Sequence, residues 1–118
     1  MSDSKIVKYG ALGNPATSIP GWKVAAGAPE MASYFQFGKP GDRVVSGTWT
    51  STVGTYHTTY DHPTMHEFVH MIEGKLVITP EGGAPVTLAQ GDAFMVEPGF
   101  VGTWEVVEPV RKHFVLAS

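Results

Sequence analysis

The sequence predicts an all-β chain, closed into a small barrel or a double-sheet jelly roll. Glycine occurs 14 times and proline 9 times in 118 residues, so turns are frequent and long helices have little room. From Arg43 onward, short runs rich in β-branched and aromatic residues alternate between apolar and polar positions, as half-buried strands do. Turn residues separate those runs at close intervals, and rolling or sandwiching such strands protects their edges and encloses a pocket.

Residues 1–42 are expected to form an irregular segment. Met1 to Ser4 read as a loose end, and Lys5 to Leu12 as one short strand amid glycine and proline. Residues 13–42 carry no clean period, but Ile19 and Trp22 are expected to anchor this stretch to the body. The only helix candidate, APEMASYF from Ala28, is too short to stand alone and reads as extended or as a single turn.

Arg43 to Thr52 suits a strand containing Trp49. Thr55 to His62 alternates so that Tyr56, Thr58, Tyr60 and His62 share one face while His57 and Thr59 share the other. Pro63 has no N–H for the ladder, so DHPTM is expected to turn a corner. HEFVHMI then splits into Glu67, Val69 and Met71 on one side and His66, Phe68, His70 and Ile72 on the other. Apolar residues on both sides predict cover on both faces, the outer one by another sheet or by a second subunit, and a homodimer is expected. EGK at 73–75 reads as a tight turn, followed by LVIT, a hairpin turn at 80–84, PVTL, a turn at Gly91, AFMVE, GTWEVV and, after EP at 108–109, VRKHFVLA. That gives about eight strands from Arg43 and a single domain over 1–118.

Composition removes several functions. Cysteine is absent, which excludes a disulfide scaffold and any thiolate nucleophile or ligand and fits a reducing cytoplasm. With 8 basic and 11 acidic residues and a net charge of -3, no basic stripe exists for a nucleic acid. The amino terminus shows no apolar run behind basic residues, so neither a signal peptide nor a membrane span is expected, and the cytoplasm is the expected compartment. No phosphate loop, dinucleotide fingerprint or serine nucleophile setting is present.

The chemistry is expected between Gly54 and Gly74, which hold four of the five histidines. His62 and Glu67 are expected to point into one cavity from adjacent antiparallel strands. There Glu67 would act as acceptor or base and His62 as acid or donor, with Tyr60 beside them, around a small polar or anionic molecule. An inward Glu67 must in any case find a partner, because a buried unpaired carboxylate is costly. Trp49, Trp104 and Phe94 are either core or pocket wall, and Trp104 is taken as a pocket residue. His66 and His70 read as packing or subunit-contact residues. An alternative metal set of His57, His66 and His70 would have to assemble on the outer face.

Gly54, Tyr60, His62, Glu67 and Gly74 fall at the spacing of the first cupin motif, with tyrosine in place of its first histidine. Gly91 and Gly99 keep the spacing of the second motif, in which Glu97 stands at the proline position, with Pro98 one place later, and Gly102 at the histidine position. EFVHMIEGKLVIT, GDAFMVEPGFVGTWEV and VRKHFVL narrow the resemblance to the small single-domain cupins related to ureidoglycine aminohydrolase and to the ethanolamine-utilisation protein EutQ. The GTWEV segment followed by an RK pair is its most specific part. The resemblance implies a cupin double-stranded β-helix, a jelly-roll barrel. It also implies a divalent manganese, nickel, zinc or iron site that keeps only His62 and Glu67. Tyr60 is a poor ligand, since a phenol must lose its proton to bind strongly, and Gly102 has no donor. Three functions stay open: a small-molecule-binding cupin with a degenerate metal site, a metal-dependent aminohydrolase-like enzyme acting on a small ureido or amino metabolite, and a structural homodimer with a residual pocket.

Overall fold

A computed structural model describes residues 5–25 and 28–118. Its elements are all strands: β1 (Trp22–Val24), β2 (Met31–Phe37), β3 (Val44–Ser51), β4 (Gly54–Tyr60), β5 (His66–Pro80), β6 (Val86–Ala89), β7 (Ala93–Val96) and β8 (Val101–Ala117). No helix among the described residues is long and apolar enough to cross a membrane.

Two long strands organise the molecule. β5 and β8 pair antiparallel along most of their length, from His66 opposite Ala117 to Pro80 opposite Gly102. The other edge of β8 is shared, with β4 on its first half and β3 on its second. The other edge of β5 is divided in the same way between β7 and β6. β2 extends the sheet beyond β3, and β1 extends it beyond β4. The chain therefore forms a curled antiparallel sheet whose two halves share two bent strands, the jelly-roll arrangement expected from the turn pattern.

The bends fall where the sequence places turns, but they are bulges inside continuous strands. The β5–β8 register slips three times between Met71 and Leu76. Gly74 there has φ 91°, and a Cβ on it would stand 2.1 Å from the Pro109 carbonyl oxygen. Only glycine permits that approach, and the extra residues let both strands bend without losing the ladder. The separate strands expected on either side of 73–75 and of 108–109 are therefore two strands, not four. Conversely, the segment expected to be irregular carries β1 and β2, while Lys5 to Leu12, expected as a strand, forms none. That run has glycine and proline close behind it, which interrupt the ladder a strand would need. The expectation for Met1 to Ser4 lies outside the described residues.

The core is aromatic and aliphatic. Trp49, Tyr56 and Trp104 pack with ring centroids 6.0 to 6.4 Å apart, and Val69, Met71, Leu76 and Val106 are fully enclosed. Each such side chain contributes about 1.5–3 kcal/mol by leaving water. Ile19 and Trp22 pack against this core from the first segment.

Candidate binding site

Strict alternation decides what enters the barrel. On β5, Glu67, Val69 and Met71 are buried and His66, Phe68 and His70 are exposed; on β8, Val110, Lys112, Phe114 and Leu116 are buried between exposed or half-buried neighbours. Two charged residues thus arrive among the apolar side chains that β5 and β8 turn inward. The Lys112 ammonium stands 2.9 Å from Glu67 Oε2. The Tyr60 hydroxyl, at the end of β4, donates to Glu67 Oε1 at 2.5 Å. Both carboxylate oxygens are engaged, and the charges of the pair cancel. Burial of this kind is tolerated only when the ions face each other and their remaining hydrogen-bonding capacity is used.

Lys112 is held on its other sides by rings. Trp49 is its cross-strand neighbour on β3, and the ammonium lies 4.7 Å from the centroid of Trp49 and 4.6 Å from that of Trp104. The π faces supply part of the stabilisation that water would otherwise give. Burial pulls the Lys112 ammonium below its ordinary pKa, and the charge and hydrogen bond of Glu67 oppose that pull. Burial raises the Tyr60 and Tyr56 phenols well above the ordinary value, and the Glu67 charge adds to the rise. Both tyrosines therefore keep their protons at neutral pH.

Trp22, Ser33, Trp49, Tyr60, Glu67 and Lys112 line a cavity of about 20 Å³ at this point, room for roughly one water. Ile19 closes it beside Trp22. The indole N–H groups of Trp49 and Trp104 are buried without a protein acceptor, whereas that of Trp22 is close enough to the Tyr60 oxygen to act against the rise in the phenol's pKa. Buried donors normally have partners, so the orphan Trp49 donor on the cavity wall marks a place suited to an acceptor.

Of the residues predicted from sequence, Tyr60 and Glu67 meet, and Trp104 forms the wall behind Lys112. His62 does not join them. β4 ends at Tyr60, so the alternation that would turn His62 inward stops two residues early at the corner made by Pro63. His62 instead lies on a turn, where its Nδ1 accepts from the Thr64 N–H at 3.2 Å. It faces a separate depression with Pro20, Asp42 and Met65. The outer histidines do not gather either. His57 is 4.0 Å from Glu81, His66 Nδ1 bonds the Thr64 carbonyl, and His70 stands opposite His113. Burial, then Arg111 and His70, lowers the His113 pKa.

The metal set implied by the resemblance does not fit these residues. Glu67 is already paired with an ammonium, Tyr60 holds its proton, and His62 is outside. At Gly102 a Cβ would come within 2.4 Å of the Thr79 carbonyl oxygen and 3.0 Å of Pro80 Cα, so no side chain of any kind fits the second-motif position. Among the described residues no three histidine, aspartate or glutamate side chains could hold an ion together.

Sequence reasoning missed Lys112, although it lies in the RK pair quoted for the resemblance. The signal was present in VRKHFVLA: by alternation Lys112 shares a face with Val110, Phe114 and Leu116, and a lysine on such a face must be buried with a partner.

Comparison with known proteins agrees with the architecture. The EutQ-like cupin domain model matches residues 38–114. The EutQ protein of Clostridium difficile superposes with a TM-score of 0.62 at 18% identity, over 75% of this chain and 63% of its own. This chain thus spans less than two thirds of that protein. A DUF861 family protein from Thermotoga maritima is 31% identical, with a TM-score of 0.52 over 58% of this chain and 74% of its own. Ectoine synthase from P. lautus shares the fold, with a TM-score of 0.62 at 19% identity over 74% of this chain and 63% of its own. No curated protein matches the sequence.

Proposed function

This chain belongs to the EutQ-like cupin domain family, and from that premise we propose that its barrel interior binds one small polar molecule. The observation that carries this reading is the buried set of Glu67, Lys112 and Tyr60 on the wall of a cavity where the Trp49 indole donor has no protein acceptor. A core kept only for stability would lack these groups, because apolar residues of similar volume commonly do as well as a buried ion pair. The side of Ile19 and Trp22 is a loop and a three-residue edge strand, the kind of element that opens locally at small cost. The cavity can therefore enlarge there to admit an occupant.

The test is a melting scan of the purified chain against small carbonyl compounds, carboxylic acids and amides, followed by calorimetry on any that stabilise it. One class is expected to raise the melting temperature, and Lys112→Met is expected to abolish the shift while remaining folded by circular dichroism. If every compound leaves the melt unchanged, or if the variant responds as the parent does, the pocket is not a binding site. A metal-dependent aminohydrolase reading has no ligand set here to support it.

We also propose that a second copy covers the outer face of β5 and β7. Phe68 and Met95 are register partners there, and both are exposed. Light scattering at micromolar concentration is expected to give a dimer, with Phe68→Glu giving a monomer; a monomeric parent would refute this.

A further inference from the structure

Lys112 combines features that no other lysine of the chain has. Five of the six lysines, at positions 5, 8, 23, 39 and 75, are exposed or half-buried, whereas Lys112 is buried. It borders the cavity, indole faces flank it, and its Nζ lies 2.9 Å from a carboxylate that can take a proton. A primary amine desolvated in an apolar pocket beside an acid–base group is the arrangement that makes lysine a nucleophile toward carbonyl carbon. The orphan N–H group of Trp49 on the cavity wall is a donor of the kind a carbonyl oxygen accepts.

We propose that Lys112 forms an imine with a small aldehyde or ketone held in this cavity. The inference rests on the reading that the barrel interior takes a small polar molecule, and it names the class of that molecule. Glu67 first accepts a proton from the Lys112 ammonium. The free amine attacks the carbonyl carbon, the C–N bond forms, and the π electrons move to oxygen, which takes a proton from the newly cationic nitrogen. Glu67 then returns its proton to the resulting hydroxyl, the C–O bond breaks, water leaves, and the nitrogen lone pair closes the C=N bond. The product is an iminium ion facing the Glu67 carboxylate. One carbonyl oxygen and two ammonium hydrogens leave as water, nothing is oxidised or reduced, and the charge of the site is the same before and after. The Tyr60 hydroxyl holds Glu67 in place through its bond to Oε1 and acts as a positioning residue. A cavity of about 20 Å³ restricts the partner to a few heavy atoms, with Ile19 and Trp22 displaced on entry.

The experiment uses the full chain with glyoxylate, pyruvate or glycolaldehyde, each with and without sodium cyanoborohydride, read by intact mass and by peptide mapping. The expected result is a single reduced adduct on Lys112 for at least one probe, formed about tenfold or more faster than adducts on the exposed lysines. In denaturant that preference is expected to disappear. Lys112→Arg keeps the positive charge and is expected to carry no adduct at position 112; Lys112→Met serves if the arginine variant does not fold. Modification spread evenly over all six lysines, or none at Lys112 under folded conditions, overturns the imine. A probe that raises the melting temperature without trapping leaves the binding reading standing and removes the covalent one. If no probe shifts the melt or traps, the imine falls, and the compound scan above decides the binding reading separately.

Discussion

The two faces of β5 carry opposite chemistry on adjacent residues. Outward lie His66, Phe68 and His70; inward lie Glu67, Val69 and Met71. The outward face holds the residues that attract attention in the sequence, yet its imidazoles contact a backbone carbonyl or another histidine and assemble nothing. The inward face supplies one carboxylate, and that carboxylate collects a lysine from β8 and a tyrosine from β4. The difference teaches that a count of metal-binding residue types says little in a β protein until each has been assigned a side of the sheet. A one-residue change in parity moves a group from water into the core.

The sharpest way to break this comparison is to remove one ion of the inner pair. Lys112→Met leaves Glu67 charged and enclosed, and Glu67→Gln does the same to Lys112. Each is expected to cost about 3–5 kcal/mol, measured by urea denaturation. The double variant Glu67→Gln with Lys112→Met is expected to recover most of that loss, because no unpaired charge remains. Additive losses would mean that the two groups do not depend on each other, and the inner face would then be no more coupled than the outer.

Tyr60→Phe probes the third member. It deletes the hydroxyl that donates to Glu67 Oε1 and leaves a buried acceptor unsatisfied, an expected loss of about 1–3 kcal/mol. A loss below about 0.5 kcal/mol would show that the bond adds nothing to the ion pair.

A smaller effect is a slope with pH. The Lys112 pKa is lowered by burial, so between that value and 10.5 the unfolded chain binds a proton at this site that the folded chain does not. Stability from this group accordingly rises with pH across that window. Tyr60 and Tyr56 run the other way. Their pKa values are raised, mainly by burial, so above 10.0 the unfolded chain releases protons that the folded one keeps, and stability falls. Within the window below 10.5, denaturation midpoints are expected to climb with pH in the parent and stay flat in Lys112→Met, while both decline once the phenols of the unfolded chain ionise. Parallel curves for the two proteins would assign the alkaline behaviour to groups other than the inner amine.

Much of this architecture was legible because the determinants of strands and turns are local. The division of HEFVHMI into two faces and the breaks near Gly74 and Pro109 follow from residue-by-residue chemistry. What local reasoning could not decide was whether a break ends a strand or only bends it. At Gly74 that depends on how closely Pro109, 35 positions later in the chain, approaches the backbone. The site was half legible for the same reason. Tyr60 and Glu67 came from spacing, whereas the exclusion of His62 depends on β4 ending at Tyr60, and the arrival of Lys112 depends on β8 pairing with both β3 and β5. Closing Gly102 to any side chain is likewise a property of the Thr79 and Pro80 backbone across the ladder.

His62→Ala is the variant expected to do least, and it examines the comparison from the other side. The imidazole lies on the Asp61–Thr64 turn, partly exposed, with only the Thr64 backbone N–H and hydroxyl as polar partners. Removing it should change stability by no more than about 0.5 kcal/mol, the usual range for a surface position. Ligand stabilisation and trapping at Lys112 should be unchanged, since no atom of the cavity wall belongs to His62. Loss of ligand binding in this variant, with the fold intact by circular dichroism, would mean that the turn closes over the cavity when it is occupied. The histidine would then belong to the working site after all, and parity along a strand would be an insufficient guide wherever a corner residue can swing across the barrel mouth.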